Sequence, residues 1–309
     1  MKALLHKKSL MLPIALIGGA VFHQWMGYVT FLSPYLIFVM LFITYCKLRL
    51  SDLRLGKFEW GLLILQLCLS AAVYALTAPF NHVVGEGIFI CIFVPTATAA
   101  PVITSMLGGS ISRVATYSLL CNLVIAVIGP IVLAAIGDNA DMTFIQSFLL
   151  ILRQVAPLLI LPLLLALLFR RLLPRLHSYV VQRQQLSFYL WAISLFIIVG
   201  SCVSFAIKNW TPQNNISMIL LCIGALAACI IQFYIGRRYG AAFQDPVAGG
   251  QSLMQKNTVL AVWLALAYMN PIASVAPAAY IAWQNIINSW QLINRDRFGN
   301  KSSDDDAQK

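Results

Sequence analysis

Val83 to Gly109 reads VVGEGIFICIFVPTATAAPVITSMLGG, and Pro246 to Met269 reads PVAGGQSLMQKNTVLAVWLALAYM. Each stretch exceeds the roughly 20 apolar residues that carry a helix across a bilayer. Each is also interrupted. In the first, Pro95 and Pro101 remove backbone donors and free carbonyls, and Thr96 and Thr98 stand between them to offer hydroxyls in return. In the second, Gly249 and Gly250 loosen the helix, and Gln251, Ser252, Gln255, Lys256, Asn257 and Thr258 crowd its middle. Irregular backbone at membrane depth is tolerated only where it is buried in protein or lines a cavity. A lysine there costs a few kcal/mol or more, so it marks a function.

The rest of the chain has the composition that such stretches require. Of 309 residues, 60% are hydrophobic and 10% charged, against about 25% charged in soluble domains. Apolar runs recur from end to end, without the alternation of a β-barrel. The expected fold class is therefore all-α and membrane-embedded, with ten transmembrane helices. Their approximate limits are Leu10–Met26, Val29–Cys46, Phe58–Ala78, Val83–Gly109, Ile111–Ile136, Val155–Leu172, Ser187–Ile207, Ile216–Ile235, Pro246–Met269 and Pro271–Gln291. Thr143 to Gln154 reads either as an interfacial amphipathic helix or as an extension of the sixth run.

Basic residues fall on alternate loops: Lys2, Lys7 and Lys8; Lys47, Arg49, Arg54 and Lys57; Arg113; Arg170, Arg171, Arg175 and Arg183; Arg237 and Arg238; Arg295, Arg297 and Lys301. The opposite loops carry Lys208, Asp138 and Asp141. The positive-inside rule then places both termini in the cytoplasm of a multi-pass protein of a plasma or bacterial inner membrane. This topology accounts for the net charge of +11, so no nucleic-acid partner is expected and the lipid bilayer is the surrounding medium. Residues 299–309 read as a disordered tail.

Five helices per half make the second half enter from the opposite side. The expected units are residues 1–137 and 138–298, two inverted repeats of the kind found in secondary transporters. Interrupted segments at matching positions of the two halves are the best pointer to a transport site. On that ground Lys256, Asn257, Thr258, Gln255, Thr96, Thr98, Ser118, Asn122 and Ser252 are candidate substrate or ion ligands, with Pro95, Pro101, Gly249 and Gly250 shaping the interruptions. Ser118 and Asn122 lie one turn apart on one helical face. Asn285 and Asn288 read as interhelical hydrogen-bonding residues.

At these residues the chain resembles the bile acid:sodium symporter family. The similarity rests on PTATAAPVIT (Pro95 to Thr104) with the LGG that follows, on MQKNTVLA (Met254 to Ala261), and on GLLILQ ending at Gln66. The resemblance implies a panel and a core, with the fourth and ninth helices unwound and crossing at the centre, and a steroid-like or small organic acid as substrate. It adds Gln66 to the candidate ligands. It also exposes departures. Ser252 stands where the sodium-coupled members carry a bridging glutamate, and Lys256 where they carry a glutamine; a register shifted by one residue would align Gln255 there instead. Ala100 and Pro101 replace a serine–asparagine pair, and Val114 and Ser118 occupy two hydroxyl positions.

An ammonium has three donors and no acceptor. It offers a built-in substitute for sodium, held by Gln66 and the carbonyl end of the first half-helix. The expectation is a sodium-independent organic-anion transporter with no metal or other cofactor. Removal from water disfavours a charged amine, so proton coupling is a further expectation. The alternatives are sodium-coupled symport and an arsenite-type efflux permease relying on the Cys91 thiol. A membrane enzyme is not expected, since no catalytic motif is found. The seven cysteines include no CxxC pair and read as buried thiols.

Overall fold

A computed structural model describes residues 14–15, 17–47, 55–97, 100–137, 144–183, 185–209 and 211–294. Lys2, Lys7, Lys8, Arg49, Arg54, Thr98, Asp138, Asp141, Arg295, Arg297, Lys301 and the tail lie outside them. Among the described residues the chain is helical, with no strand. Helical residues at 14–15 and 17–21 precede α1 (His23–Met26). There follow α2 (Ser33–Lys47), α3 (Lys57–Thr77), α4 (His82–Phe93), α5 (Ala100–Met106), α6 (Ile111–Ile136), α7 (Phe144–Leu172), α8 (Pro174–Gln182), α9 (Gln185–Asn209), α10 (Asn215–Ala241), α11 (Pro246–Met254), α12 (Thr258–Tyr268) and α13 (Val275–Ile293). By length and composition α3, α6 and α10 can each cross a membrane, as expected of a helical membrane protein.

The helix starts follow from local chemistry. A helix leaves its first N–H groups unpaired, and Asn, Ser and Asp accept from them. Asn81 caps α4 through Val84 N–H at 3.1 Å, Ser110 caps α6 through Arg113 N–H at 3.4 Å, and Asn257 caps α12 through Leu260 N–H at 3.2 Å. Asp245 caps α11 through Ala248 N–H at 3.0 Å, just before Pro246. The other oxygen of that carboxylate accepts from Ser110 N–H at 3.0 Å, which ties the start of α11 to the start of α6. Arg113 donates to the Phe243 carbonyl at 2.9 Å and lies over the Phe58 ring, closing the same end.

Two short helices, α4 and α11, are inside, and the long ones lie around them. Every residue of α4 from Val84 to Phe93 is buried, as is every residue of α11 from Val247 to Met254. A helix apolar on all sides belongs in an interior. The longer helices bury one side and expose apolar residues on the other, as Leu164 and Leu168 do on α7 and Ile216 and Ile223 on α10. That outer apolar surface is what a lipid-facing wall requires.

Of the two readings of the stretch before the sixth run, the structure takes the extension: residues 144–154 continue α7 as one helix. Two differences from the sequence reading have physical causes. The basic linker after Arg171 contains α8, too short to register as an apolar run. Gly249 and Gly250 do not loosen the backbone: they lie within α11, ahead of the break. Their role is contact. A Cβ on Gly249 would stand 2.2 Å from the Gly236 carbonyl oxygen and 2.8 Å from the Gly240 Cα, so glycines on both sides let α10 and α11 meet backbone to backbone.

The obstacles at Gly249 are backbone atoms and cannot swing aside. Gly249→Ala should therefore destabilise the protein by about 2 kcal/mol. At Gly27, which follows α1 in helical conformation (φ −57°, ψ −35°), an added Cβ meets nothing within 4 Å. Gly27→Ala should be neutral or stabilising by roughly 0.5–1 kcal/mol. Thermal unfolding of the two variants in detergent checks the opposite signs.

Candidate functional site

The breaks between α4 and α5 and between α11 and α12 lie side by side and antiparallel. Thr96 and Lys256 face each other as an isolated bridge. Ala97 N–H donates to the Gln255 carbonyl at 2.9 Å, and Asn257 N–H to the Pro95 carbonyl at 2.9 Å. Pro95 therefore sits inside the first break, while Pro101 lies in the first turn of α5, where its missing N–H costs little. Two helices that stop short leave carbonyls without intrahelical donors, and in a buried setting these need replacements.

The replacements match across the crossing. At the end of α4, the Gln66 amide donates to the carbonyls of Phe93 at 2.8 Å and Val94 at 3.1 Å, and Tyr117 O–H donates to Gln66 Oε1 at 2.5 Å. At the end of α11, Tyr280 O–H donates to the Met254 carbonyl at 2.9 Å, and the Gln232 amide donates to the Tyr280 oxygen at 2.9 Å. Each broken helix thus ends on a glutamine–tyrosine pair. Each bridging residue also reaches across to the other helix. Thr96 Oγ1 donates to the Ser252 carbonyl at 2.7 Å, and Lys256 Nζ donates to the Val94 carbonyl at 3.2 Å. The difference is in the donor: a hydroxyl closes one end and a lysine amine the other.

Lys256 is 1% exposed. Among the described residues no carboxylate lies within 4.0 Å of its amine. Buried Glu59, Glu86 and Asp245 are engaged elsewhere, with Gly56, Asn270 and the α11 and α6 starts respectively. The ammonium sits instead at the C-terminal end of α4, where the helix dipole presents partial negative charge. The hydrogen bond from its amine to the Val94 carbonyl contributes about 1.5–3 kcal/mol if the amine is charged, and the dipole up to about 2 kcal/mol. A buried ion costs several kcal/mol to desolvate, so these contacts at most balance the cost.

The remaining candidates surround this pair. Gln284 Oε1 accepts from the Lys256 backbone N–H at 3.1 Å, fixing the residue from α13. Ser118 Oγ reaches the Thr96 carbonyl at 3.5 Å, and the Asn122 amide donates to the Ser118 carbonyl at 2.7 Å. Thr258 and Gln255 are buried beside Lys256. Ser252 Oγ, Gln255 Nε2 and Asn122 Oδ1 are buried and make no hydrogen bond among the described residues. Thr98 lies outside them. Asn288 does bond between helices, to Gln251 on α11, whereas Asn285 donates back to Ile281 of its own helix. Cys91 is 1% exposed, packed in an apolar cluster with Cys229, Met254 and Tyr280.

Sequence reading did not single out Tyr117, Tyr280, Gln232 or Gln284. Gln232 and Gln284 carried a signal, being polar residues within apolar runs. The tyrosines carried none, since tyrosine is common in membrane helices. No family model matches this chain, and no curated protein is significantly similar to it.

The glutamine–tyrosine pairs hold the breaks. Tyr117→Phe and Tyr280→Phe should each destabilise by about 1–3 kcal/mol, the cost of leaving a buried polar partner unpaired. Chemical unfolding in detergent checks this; a cost confined to one of the two would show that the ends are not equivalent.

Proposed function

We propose that the protein is a secondary transporter of organic anions, built from ten transmembrane helices in two inverted five-helix repeats, with α4–α5 and α11–α12 as the broken pair. The matched Gln66–Tyr117 and Gln232–Tyr280 arrangements support the repeat. The resemblance to the bile acid:sodium symporter family supports the panel-and-core plan and points to a carboxylate or sulfonate. The observation that carries the reading is the Lys256 ammonium at the carbonyl end of α4, reaching across from the other broken helix.

That geometry lets a tethered cation do what a dissolved ion does elsewhere. It neutralises the end of one half-helix and draws the second segment against it, with no ion to load or release. It also leaves a positive site in which the other donors of the amine find few protein acceptors. An anion approaching the crossing completes that set. Since Lys256 is 1% exposed here, such an anion reaches it only after the surrounding helices move, as alternating access requires.

Sodium-coupled symport is the second reading, favoured by two buried oxygens, Ser252 Oγ and Asn122 Oδ1, that make no hydrogen bond among the described residues. Uptake into proteoliposomes separates the two. With a steroid carboxylate and a short organic acid as test substrates, uptake should persist without any sodium gradient. Lys256→Met should lower it on the order of tenfold or more, through loss of the buried charge and its contact. A strict requirement for sodium in the unmodified protein would defeat the tethered-cation reading and leave the symporter.

A further inference from the structure

We propose that the junction of α7 and α8 is a binding site for anionic phospholipid, with Arg170, Arg171, Arg175 and Arg183 taking the headgroup and the leucines between them taking the acyl chains. The proposal rests on reading α7 as a membrane span and is independent of what the protein transports.

Length places the junction at headgroup depth. The 29 residues of α7 extend about 43 Å at 1.5 Å each, beyond the hydrocarbon thickness of about 30 Å. One end at least must leave the hydrocarbon, and the last turn, which carries Arg170 and Arg171, is the end whose charge favours water and headgroups. Leu173 takes a non-helical conformation (φ −127°, ψ 59°), and Pro174 opens α8. Val180 and Val181 of α8 pack toward the core, against which α2 and α7 anchor the helix. Leu172, Leu173, Leu176 and Tyr179 remain 63%, 47%, 44% and 54% exposed. The four arginines beside them are exposed too, and Arg183 lies 4.9 Å above the Tyr179 ring. A short helix that turns Val180 and Val181 to the core and leaves Arg175, Leu176 and Tyr179 exposed, with Arg183 at its end, suits a membrane interface.

Charge identifies the ligand. Among the described residues no carboxylate lies within 4.0 Å of these arginines, and the chain has no Asp or Glu between Asp141 and Asp245. Topology alone asks only for positive charge, which lysine supplies equally well. All four cations here are arginine, whose planar fork binds phosphate oxygens in pairs. Basic sites at helix ends with apolar neighbours are the recurrent form of headgroup recognition.

The test uses the full chain purified in neutral detergent and follows its melting temperature. Phosphatidylglycerol should raise it saturably and phosphatidylcholine with the same acyl chains should not; high salt should reduce the effect. The combined R170Q/R171Q/R175Q/R183Q variant should bind phosphatidylglycerol on the order of tenfold more weakly, and R238Q, at a distant exposed arginine, should match the unmodified protein. Arginine-selective labelling of the unmodified chain gives a readout that needs no variant: phosphatidylglycerol should protect these four side chains. Equal effects of the two lipids, an unchanged affinity in the fourfold variant, absence of protection, or a shift reproduced by inorganic phosphate alone would each overturn the proposal.

Discussion

The hydrogen bond from the Lys256 amine to the Val94 carbonyl joins two segments that have each given up their helical hydrogen bonds. In a protein interior such bonds cannot be given up to water. Every exposed carbonyl at the two breaks must therefore find a donor on a neighbouring element, and the elements that provide donors are fixed in place by doing so. Gln66 on α3, Tyr117 and Ser118 on α6, Gln232 on α10, and Tyr280 and Gln284 on α13 are all committed to the crossing. The surrounding helices are thus held in register by polar demands at the centre, while apolar packing supplies most of the contact.

The two ends of the crossing satisfy the same demand with different chemistry. Thr96 presents a hydroxyl to the end of α11, and Lys256 presents an amine to the end of α4. A neutral donor there would satisfy the Val94 carbonyl at far lower desolvation cost, and Gln66 already donates to it. Stability alone gives no reason for a lysine. Its presence at such depth is what motivates the binding role proposed for it.

The crossing also depends on its supports. The Gly236, Gly240 and Gly249 contacts bring α10 against α11 backbone to backbone, and Tyr280 of α13 ties the same two helices together through Gln232 and Met254. Beside Gly240, one carboxylate, Asp245, starts α11 and holds the start of α6. These contacts let two short helices, α4 and α11, persist as buried units although neither is long enough to cross a bilayer alone.

Much of this was legible in the chain. The apolar runs, the limits of α6 at Ile111 and Ile136, the break at Pro95 and the polar cluster at Lys256 all follow from local rules, because hydrophobic length, proline and capping residues act on their own neighbourhood. Gly249 and Gly250 were misread for the same reason: within the sequence a glycine pair signals a loose backbone, whereas its purpose is set by a helix packed against it. The partners of the crossing lay equally out of reach. Gln66 lies 51 residues from Tyr117, and Gln232 lies 48 from Tyr280. Composition and periodicity determined that this chain would be helical, apolar and broken at these places. Only tertiary structure decided which carbonyl the lysine would meet, because a hydrogen bond between distant residues depends on how whole helices pack and not on the residues beside it.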